Sequence, residues 1–256
     1  MLEETRLHRI CALLSTLNRV STEQIVQHLG VSRETVRRDV LKLEAMGALR
    51  RVHGGIVSTA QQAEPPLSVR NTVREKEKRD IARAAVQLLT PGQTLFIDAG
   101  STTSLLADEL LSMPGLTIIT NSLNVALKLS GAETTLKHEV ILLGGSMGPS
   151  QQATCGELTV SEINRYRADV ALLSPVGVSA RDGASSFAHR EAAVAGAMVA
   201  CAKTRIILAD SSKIGVTSRV IYAPTPDIDM VITDAAGAGL AEWQRLHNSG
   251  PQTIIA

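Results

Sequence analysis

At 256 residues, with 44% hydrophobic, 20% charged and only 2% aromatic side chains, the chain can bury one large core, or two smaller ones, from Leu, Val, Ile and Ala, a profile that suits parallel α/β architecture. Three cysteines, Cys11, Cys155 and Cys201, with no CxxC spacing, argue against a disulfide framework or a zinc site and for a reducing cytoplasm. The formal net charge of +1 argues against a chain that is basic throughout, yet residues 1–60 carry nine Lys/Arg against six Asp/Glu, which leaves −2 for the remainder and points to an anionic partner for one end only.

The chain opens MLEETRLHRI, with acids where a signal peptide needs bases, and no apolar run approaches the ~18 residues of a membrane span, so a soluble cytoplasmic protein is expected. Leu7, Ile10, Leu14 and Leu17 in TRLHRICALLSTL lie at helical spacing and predict an amphipathic helix over 5–17, followed by a turn at Asn18 and Arg19. In VSTEQIVQHLG, Ser21 and Gln24 form a capping box, Val20 and Ile25 occupy the positions of a hydrophobic staple, and Gly30 stops the helix. VSRETVRRDVLKLEAMG repeats the device with Ser32 as cap and Val36, Val40 and Leu43 inward, until Gly47. Two short capped helices across a tight turn are a helix-turn-helix signature.

The third helix leaves Arg33, Glu34, Thr35, Arg37 and Arg38 off its apolar stripe, mostly in its first turns, where a recognition helix meets base edges. ALRRVHGGIV then reads as two short strands around Gly54 and Gly55, a wing carrying Arg50, Arg51 and His53. Arginine forks match both guanine O6/N7 and phosphate oxygens, so the candidate DNA contacts are Ser32, Arg33, Thr35, Arg37, Arg38, Arg50, Arg51 and His53. For any single arginine a solvated helix face is the competing account, because Glu34 and Arg38 stand at i, i+4 and Ser32 could be a cap alone.

STEQIVQHLGVSRETVRRDVLKLEAMGALRRVHGG resembles the winged helix-turn-helix of DeoR-type bacterial transcriptional regulators, in its T-x-R-R-D run and its R-V-H-G-G wing. That resemblance implies operator DNA bound by a homo-oligomer, a dimer or tetramer, usually as a repressor of sugar-catabolism genes.

Residues 1–58 are thus expected to form the DNA-binding domain, 59–73 a linker and 74–256 a larger domain. VSTAQQAEPPLSV is polar, aperiodic and broken by Pro65 and Pro66. REKEKRDIARAAVQLLTPG is predicted helical with Ile81, Ala85, Leu88 and Leu89 inward, its charge run a solvated face. TLFIDAG, LTIITN, EVILLGG, DVALLSPVG, RIILADSS and MVITD are strand candidates, with helices starting near Ser104, Ser122, Ser161, Arg190 and Leu240. Such alternation predicts a parallel, Rossmann-like sheet covered on both faces, with ligands at the carboxyl ends of its strands.

The polar residues closing those strands line one rim: Asp98 to Thr103, Thr120 and Asn121, Gly144 and Gly145, Gly177, and Asp210 to Lys213. In DAGSTTS, Gly100 allows a tight turn into a helix that begins Ser101-Thr102-Thr103, a geometry that suits phosphate but equally a simple cap. FIDAGSTTSLLADEL, TNSLNVA, LLGGSM and LADSSKIG are similar to the effector domain of the same DeoR-type family, which is related to pentose-phosphate isomerases. The resemblance implies a phosphorylated sugar or polyol effector held by Asp98, Gly100, Ser101, Thr102, Thr103, Thr120, Asn121, Gly144, Gly145 and Lys213, and no cofactor. TNSLNVA leans toward the glycerol-3-phosphate repressor subgroup.

The alternative is a sugar-phosphate isomerase-like enzyme with a DNA-targeting module. Those isomerases carry carboxylates after a D-G-A turn, whereas Asp182-Gly183-Ala184 is followed here by Ser185 and Ser186. No Ser-His-Asp set, metal-ligand cluster or phosphate-cradling P-loop appears, so a regulator without catalytic residues is expected.

Overall fold

The computed structural model describes residues 3–17, 19–46, 48–52, 54–58, 67–131, 138–147 and 152–256, and the chain forms two units, 1–73 and 74–256. No helix of the described residues is long and apolar enough to cross a membrane.

The first unit runs α1 (Glu3–Leu17), β1 (Arg19–Ser21), α2 (Thr22–Leu29), α3 (Arg33–Ala45), β2 (Leu49–Val52), β3 (Gly55–Ser58) and α4 (Leu67–Thr72). Both predicted caps form. Ser21 Oγ accepts the Gln24 N–H at 3.1 Å while Gln24 Oε1 accepts the Ser21 N–H at 2.9 Å, and Ser32 Oγ accepts the Thr35 N–H at 3.2 Å. Gly30 ends α2 in the left-handed region at φ +63°, where a side chain would be strained. Ile10, Leu14, Val20, Ile25, Val36, Val40, Leu43, Leu49 and Ile56 then close one apolar core.

Two expectations need correction. Arg19 begins a strand rather than sitting in a turn, because β1 pairs antiparallel with β3 (Arg19↔Val57, Ser21↔Gly55), a contact between residues far apart in sequence. A Cβ on Gly55 would fall 2.2 Å from the Val20 carbonyl oxygen, so this approach requires glycine. The segment 59–73 is not all linker: it ends in α4, where Leu67 and Arg70 are buried. Asn18, Gly47, His53 and residues 59–66 lie outside the described residues.

One polar contact locks this unit. Asp39, 2% exposed on α3, accepts two bonds from the Arg6 guanidinium of α1, at 2.7 and 3.1 Å. Asp39→Ala is expected to lower the unfolding midpoint of the first unit by several degrees and to weaken DNA binding through loss of structure, because it removes both bonds between α3 and the part-buried Arg6 guanidinium. Calorimetry of the full chain checks this; an unchanged first transition would remove the lock from the account.

The second unit comprises α5 (Glu75–Val86), β4 (Thr94–Ile97), α6 (Ser101–Leu110), β5 (Thr117–Thr120), α7 (Leu123–Ser130), β6 (Glu139–Leu142), β7 (Ser146–Met147), β8 (Thr154–Cys155), α8 (Glu157–Ile163), β9 (Ala168–Leu173), β10 (Gly177–Ser179), β11 (Gly183–Ser186), α9 (His189–Ala200), β12 (Ala202–Leu208), β13 (Val220–Ala223), β14 (Met230–Thr233), α10 (Ala241–Asn248) and β15 (Gln252–Ile255). Its main sheet has seven parallel strands in the order β15-β14-β12-β9-β4-β5-β6. All six strand candidates lie in it.

Alternate residues of each strand feed opposite cores. Leu95, Ile97, Val170, Leu172, Ile206 and Leu208 pack with α5, α6 and α7, whereas Phe96, Ala171, Leu173 and Ile207 pack with α8, α9 and α10. The chain moves outward from β4 through β5 to β6, then returns to lay β9 on the other side of β4 and continues to β15. The order reverses between β4 and β9, and a crevice opens at the carboxyl ends of such a pair.

Several details depart from expectation. β15, the β7–β8 hairpin and an antiparallel sheet β10-β11-β13 were not foreseen, the latter two for want of long apolar runs. α6 starts at Ser101, as the DAGSTTS turn implied, and not near Ser104, and α8 starts at Glu157 rather than near Ser161. Leu88 is exposed at 38%, since the helix ends before it. Gly177 lies buried in β10, where an added Cβ would fall 2.3 Å from the Val216 carbonyl oxygen, so it faces backbone and not the rim.

Candidate functional site

On the first unit, a cleft of about 580 Å³ runs between α2, α3 and the β2–β3 wing, with Arg33, Arg37 and Arg51 on its wall. The predicted arginines differ in how they are held. Arg33 pairs with Glu23 of α2, Arg37 Nε lies 3.3 Å from Glu34, and Arg51 Nε lies 2.6 Å from Glu44. Glu44 also accepts the Arg51 N–H at 3.0 Å, and that backbone bond, then the guanidinium, holds its carboxyl below the usual carboxylate range. Arg51 therefore ties the wing to the end of α3. Arg38 and Arg50 are exposed and have no acid partner among the described residues. Ser32 and Thr35 are joined at 2.9 Å between their hydroxyls, at the start of the same exposed face.

On the second unit, the end of β4 and the end of β9 meet at the switch in strand order. Asp98 Oδ2 accepts the Ser174 N–H at 2.8 Å, bridging the two strand ends. A Cβ on Gly100 would sit 2.5 Å from Ser174 Cβ, so only glycine lets α6 start this close to β9. Thr103 turns back as a cap, accepting the Gly100 N–H at 2.8 Å and donating to the Asp98 carbonyl at 3.0 Å. The first N–H groups of α6 have no intrahelical acceptor, since that ladder begins with Ser104 donating to Gly100 at 3.0 Å.

Around this helix start the structure leaves polar atoms unmatched. Ser101 Oγ, Thr102 Oγ1, Asn121 Oδ1 and Ser174 Oγ are buried without a hydrogen-bond partner among the described residues; Thr233 Oγ1 is also unmatched but closes β14, three strands from β4. All follow or close a strand of the main sheet. Buried hydroxyls are ordinarily paired, so unmatched hydroxyls at a helix N-terminus are suited to an anion that brings accepting oxygens, whereas the Asn121 oxygen suits a hydroxyl that donates to it.

The remaining candidates divide into braces and neighbours. Thr120 Oγ1 donates to the Ile97 carbonyl at 2.6 Å and accepts the Ser122 N–H at 3.0 Å, which fixes β5 to β4. Asn121 Nδ2 donates to the Thr154 carbonyl at 2.9 Å, which leaves its oxygen for the rim. Gly144 and Gly145 follow the edge strand β6; the Gly144 N–H donates to Glu162 at 2.6 Å and a Cβ on Gly145 would fall 2.1 Å from Thr159 Oγ1. Those two glycines therefore pack against α8, two strands away from the β4–β9 switch. Lys213 Nζ donates to the Pro175 carbonyl, beside Ser174.

Sequence reasoning missed Ser174, Thr233, Arg74 and Lys78. The first two are the residues that close DVALL and MVIT, found by the same strand-end rule that named the others. The charge run REKEK is not a solvated face throughout: Lys78 is 4% exposed and shares the inward stripe with Ile81, Ala82 and Ala85, a spacing visible in the sequence. Burial alone would raise the Asp210 carboxyl, but Lys213, the Ser212 hydroxyl, Lys78 and Arg74 together hold it below the ordinary aspartate value of 3.8. A folded-state value below the unfolded one gives stability that is present above 3.8 and is lost as pH falls through the folded value. The stability gap between the wild type and Asp210→Asn is thus expected to hold from pH 7 to 5 and to shrink below about 4, as urea unfolding across that range will measure.

The D-G-A turn carries no carboxylate beyond Asp182. Ser185 Oγ donates to the Gly177 carbonyl at 3.1 Å and accepts the Ser218 N–H at 2.8 Å, and Ser186 lies 3.3 Å from Glu191. These hydroxyls stitch the small sheet to its surroundings.

Residues 6–62 match the DeoR-like helix-turn-helix domain and residues 73–235 match the DeoR C terminal sensor domain. The chain belongs to the DeoR family of transcriptional regulators. DeoR-type relatives match it nearly end to end. The HTH-type transcriptional repressor GlcR of Bacillus subtilis is 38% identical over 91% of this chain and 89% of its own length. The Glycerol-3-phosphate regulon repressor of Escherichia coli is 32% identical over 91% and 92%, and the Lactose phosphotransferase system repressor of Staphylococcus epidermidis 35% over 90% and 91%. Among solved structures, ribose 5 phosphate isomerase A from Neisseria gonorrhoeae gives a TM-score of 0.41 at 16% identity, covering 56% of this chain and 54% of that one. As a DeoR-family regulator the chain is not an enzyme, and the isomerase alternative falls away.

Proposed function

We propose that this DeoR-type protein is a cytoplasmic repressor of carbohydrate-catabolism genes, binding operator DNA as a homo-oligomer and responding to a phosphorylated sugar or polyol. The observation that carries the reading is the group of unmatched buried polar atoms at the start of α6, in the same chain as an exposed cationic helix and wing. A phosphate there meets free N–H groups, the Ser101 and Thr102 hydroxyls and the positive end of α6, with Lys213 close by. Printed names of relatives include both the glycerol-3-phosphate regulon and the lactose phosphotransferase system, so glycerol 3-phosphate rests on TNSLNVA and on the relatives that carry it in their names.

The test is fluorescence anisotropy of the full chain on its own upstream DNA at fixed salt, titrated with glycerol 3-phosphate and a panel of sugar phosphates. A sequence-specific complex shifted by one compound supports the reading; binding indifferent to sequence and to every compound overturns it. Ser101→Ala with Thr102→Val is expected to leave operator affinity within about twofold while the response to the active compound falls by at least ~10-fold, since two hydrogen bonds to a charged group are lost. A retained response would place the phosphate elsewhere.

A further inference from the structure

The second unit begins at Arg74, directly after the last residue of the first. Arg74 has φ +53°, a left-handed backbone that a residue with a Cβ rarely adopts without being held there. Its guanidinium supplies the hold. Nε lies 3.2 Å from Asp210 Oδ1, Nη2 lies 3.6 Å from Asp234 Oδ2, and Nη2 also donates to Ser211 Oγ. Asp210 and Asp234 are 2% and 3% exposed and follow the neighbouring strands β12 and β14. Each is itself fixed: Asp210 accepts from the Ser212 N–H at 3.1 Å, and Asp234 from the Ser211 and Ala236 N–H groups at 2.6 and 3.0 Å.

The turn that contacts Arg74 also contacts the rim. Ser211–Lys213 is one turn of helix capped by Asp210, and its Lys213 reaches the Pro175 carbonyl, next to the unmatched Ser174 hydroxyl beside Gly100. A continuous set of contacts therefore leads from the start of α6 through Ser174, Lys213 and Asp210 to the residue at the junction of the two units.

We propose that Arg74 is the coupling residue, a clasp by which occupancy of the strand-end site is passed to the junction with the DNA-binding unit. This rests on the reading of that site as an anion receptor. The turn that carries Lys213 is the one Arg74 grips through Asp210 and Ser211, so an anion at the α6 N-terminus that engages Ser174 or Lys213 steadies that turn and tightens the clasp on the junction. Arg74 need not touch the ligand.

Full-length wild type and Arg74→Gln are compared in three measurements: operator affinity without compound, affinity for the active compound of the panel by calorimetry, and the ratio of operator affinities with and without it. The clasp predicts that Arg74→Gln changes the first two less than about threefold but brings the ratio to near one. Backbone hydrogen exchange across residues 74–79 of the wild type should also slow when the compound is added. A variant that keeps the wild-type ratio overturns the proposal while the receptor reading stands, as does exchange that the compound leaves unaltered. If no compound, inorganic phosphate included, binds or shifts the wild type, it is the receptor reading that fails, and the clasp falls with it. Should Arg74→Gln be unfolded, Asp234→Asn removes the same clasp from the other side and is read in the same way.

Discussion

Arg38→Ala combined with Arg50→Ala is expected to reduce operator affinity by roughly 1–3 kcal/mol for each arginine that reads a base, and to lower the slope of log affinity against log salt by about one unit for each that meets a phosphate. These two cations, one on the recognition helix and one on the wing, are exposed and without an acid partner among the described residues, so their charge is available to DNA at no cost of breaking an existing pair. Arg51→Ala is a contrasting case. It removes the guanidinium contact to Glu44 but keeps the backbone N–H bond, and its effect on binding should come with a looser wing and little change in salt slope. Anisotropy at four or five salt concentrations, with circular dichroism to show the fold intact, separates the two. Unchanged affinity and slope in the folded double variant would make the cluster a solvated face.

Gly100→Ala is expected to destabilise the second unit by about 1–3 kcal/mol and to abolish the effector response, because one methyl is forced into filled space. The added carbon would lie 2.5 Å from Ser174 Cβ, 2.8 Å from Ser174 Oγ and 3.1 Å from Thr103 Oγ1. Relief requires α6 and β9 to part at the switch in strand order, where the Asp98–Ser174 bond holds them. The backbone at Gly100 is ordinary, with φ −123°, so the penalty is steric and not conformational. Thermal unfolding of the second unit and the effector titration report the two halves of the prediction. A variant of wild-type stability that still responds would mean the crevice is wider than its side chains indicate.

The two predictions differ in how far the sequence alone reaches. Which residues stand at the start of α3 and at the start of α6 was legible, because caps, apolar periods and Gly-Ser-Thr-Thr turns are signals between near neighbours. Which of those residues remain free for a ligand was not. Arg33 is taken by Glu23, ten positions away, Arg51 by Glu44, Thr103 by the Asp98 carbonyl and Thr120 by the Ile97 carbonyl of the neighbouring strand, so four polar candidates serve the scaffold. Gly144 and Gly145 share a strand-end motif with the others, yet the sheet order puts them at its edge.

The sequence by itself determined two units, the winged helix-turn-helix elements, the six principal strands and the Gly-Ser-Thr-Thr helix start, since caps, helical periods and short apolar runs are patterns among near neighbours. Only the tertiary structure decided the strand order, the meeting of Gly100 with Ser174, the pairing of Arg6 with Asp39 and the reach of Arg74 to Asp210 and Asp234. Those contacts join residues 33 to 160 positions apart, and no local pattern encodes them: they form because burying both faces of the sheet and the inner faces of the helices leaves charged groups a single set of partners within reach.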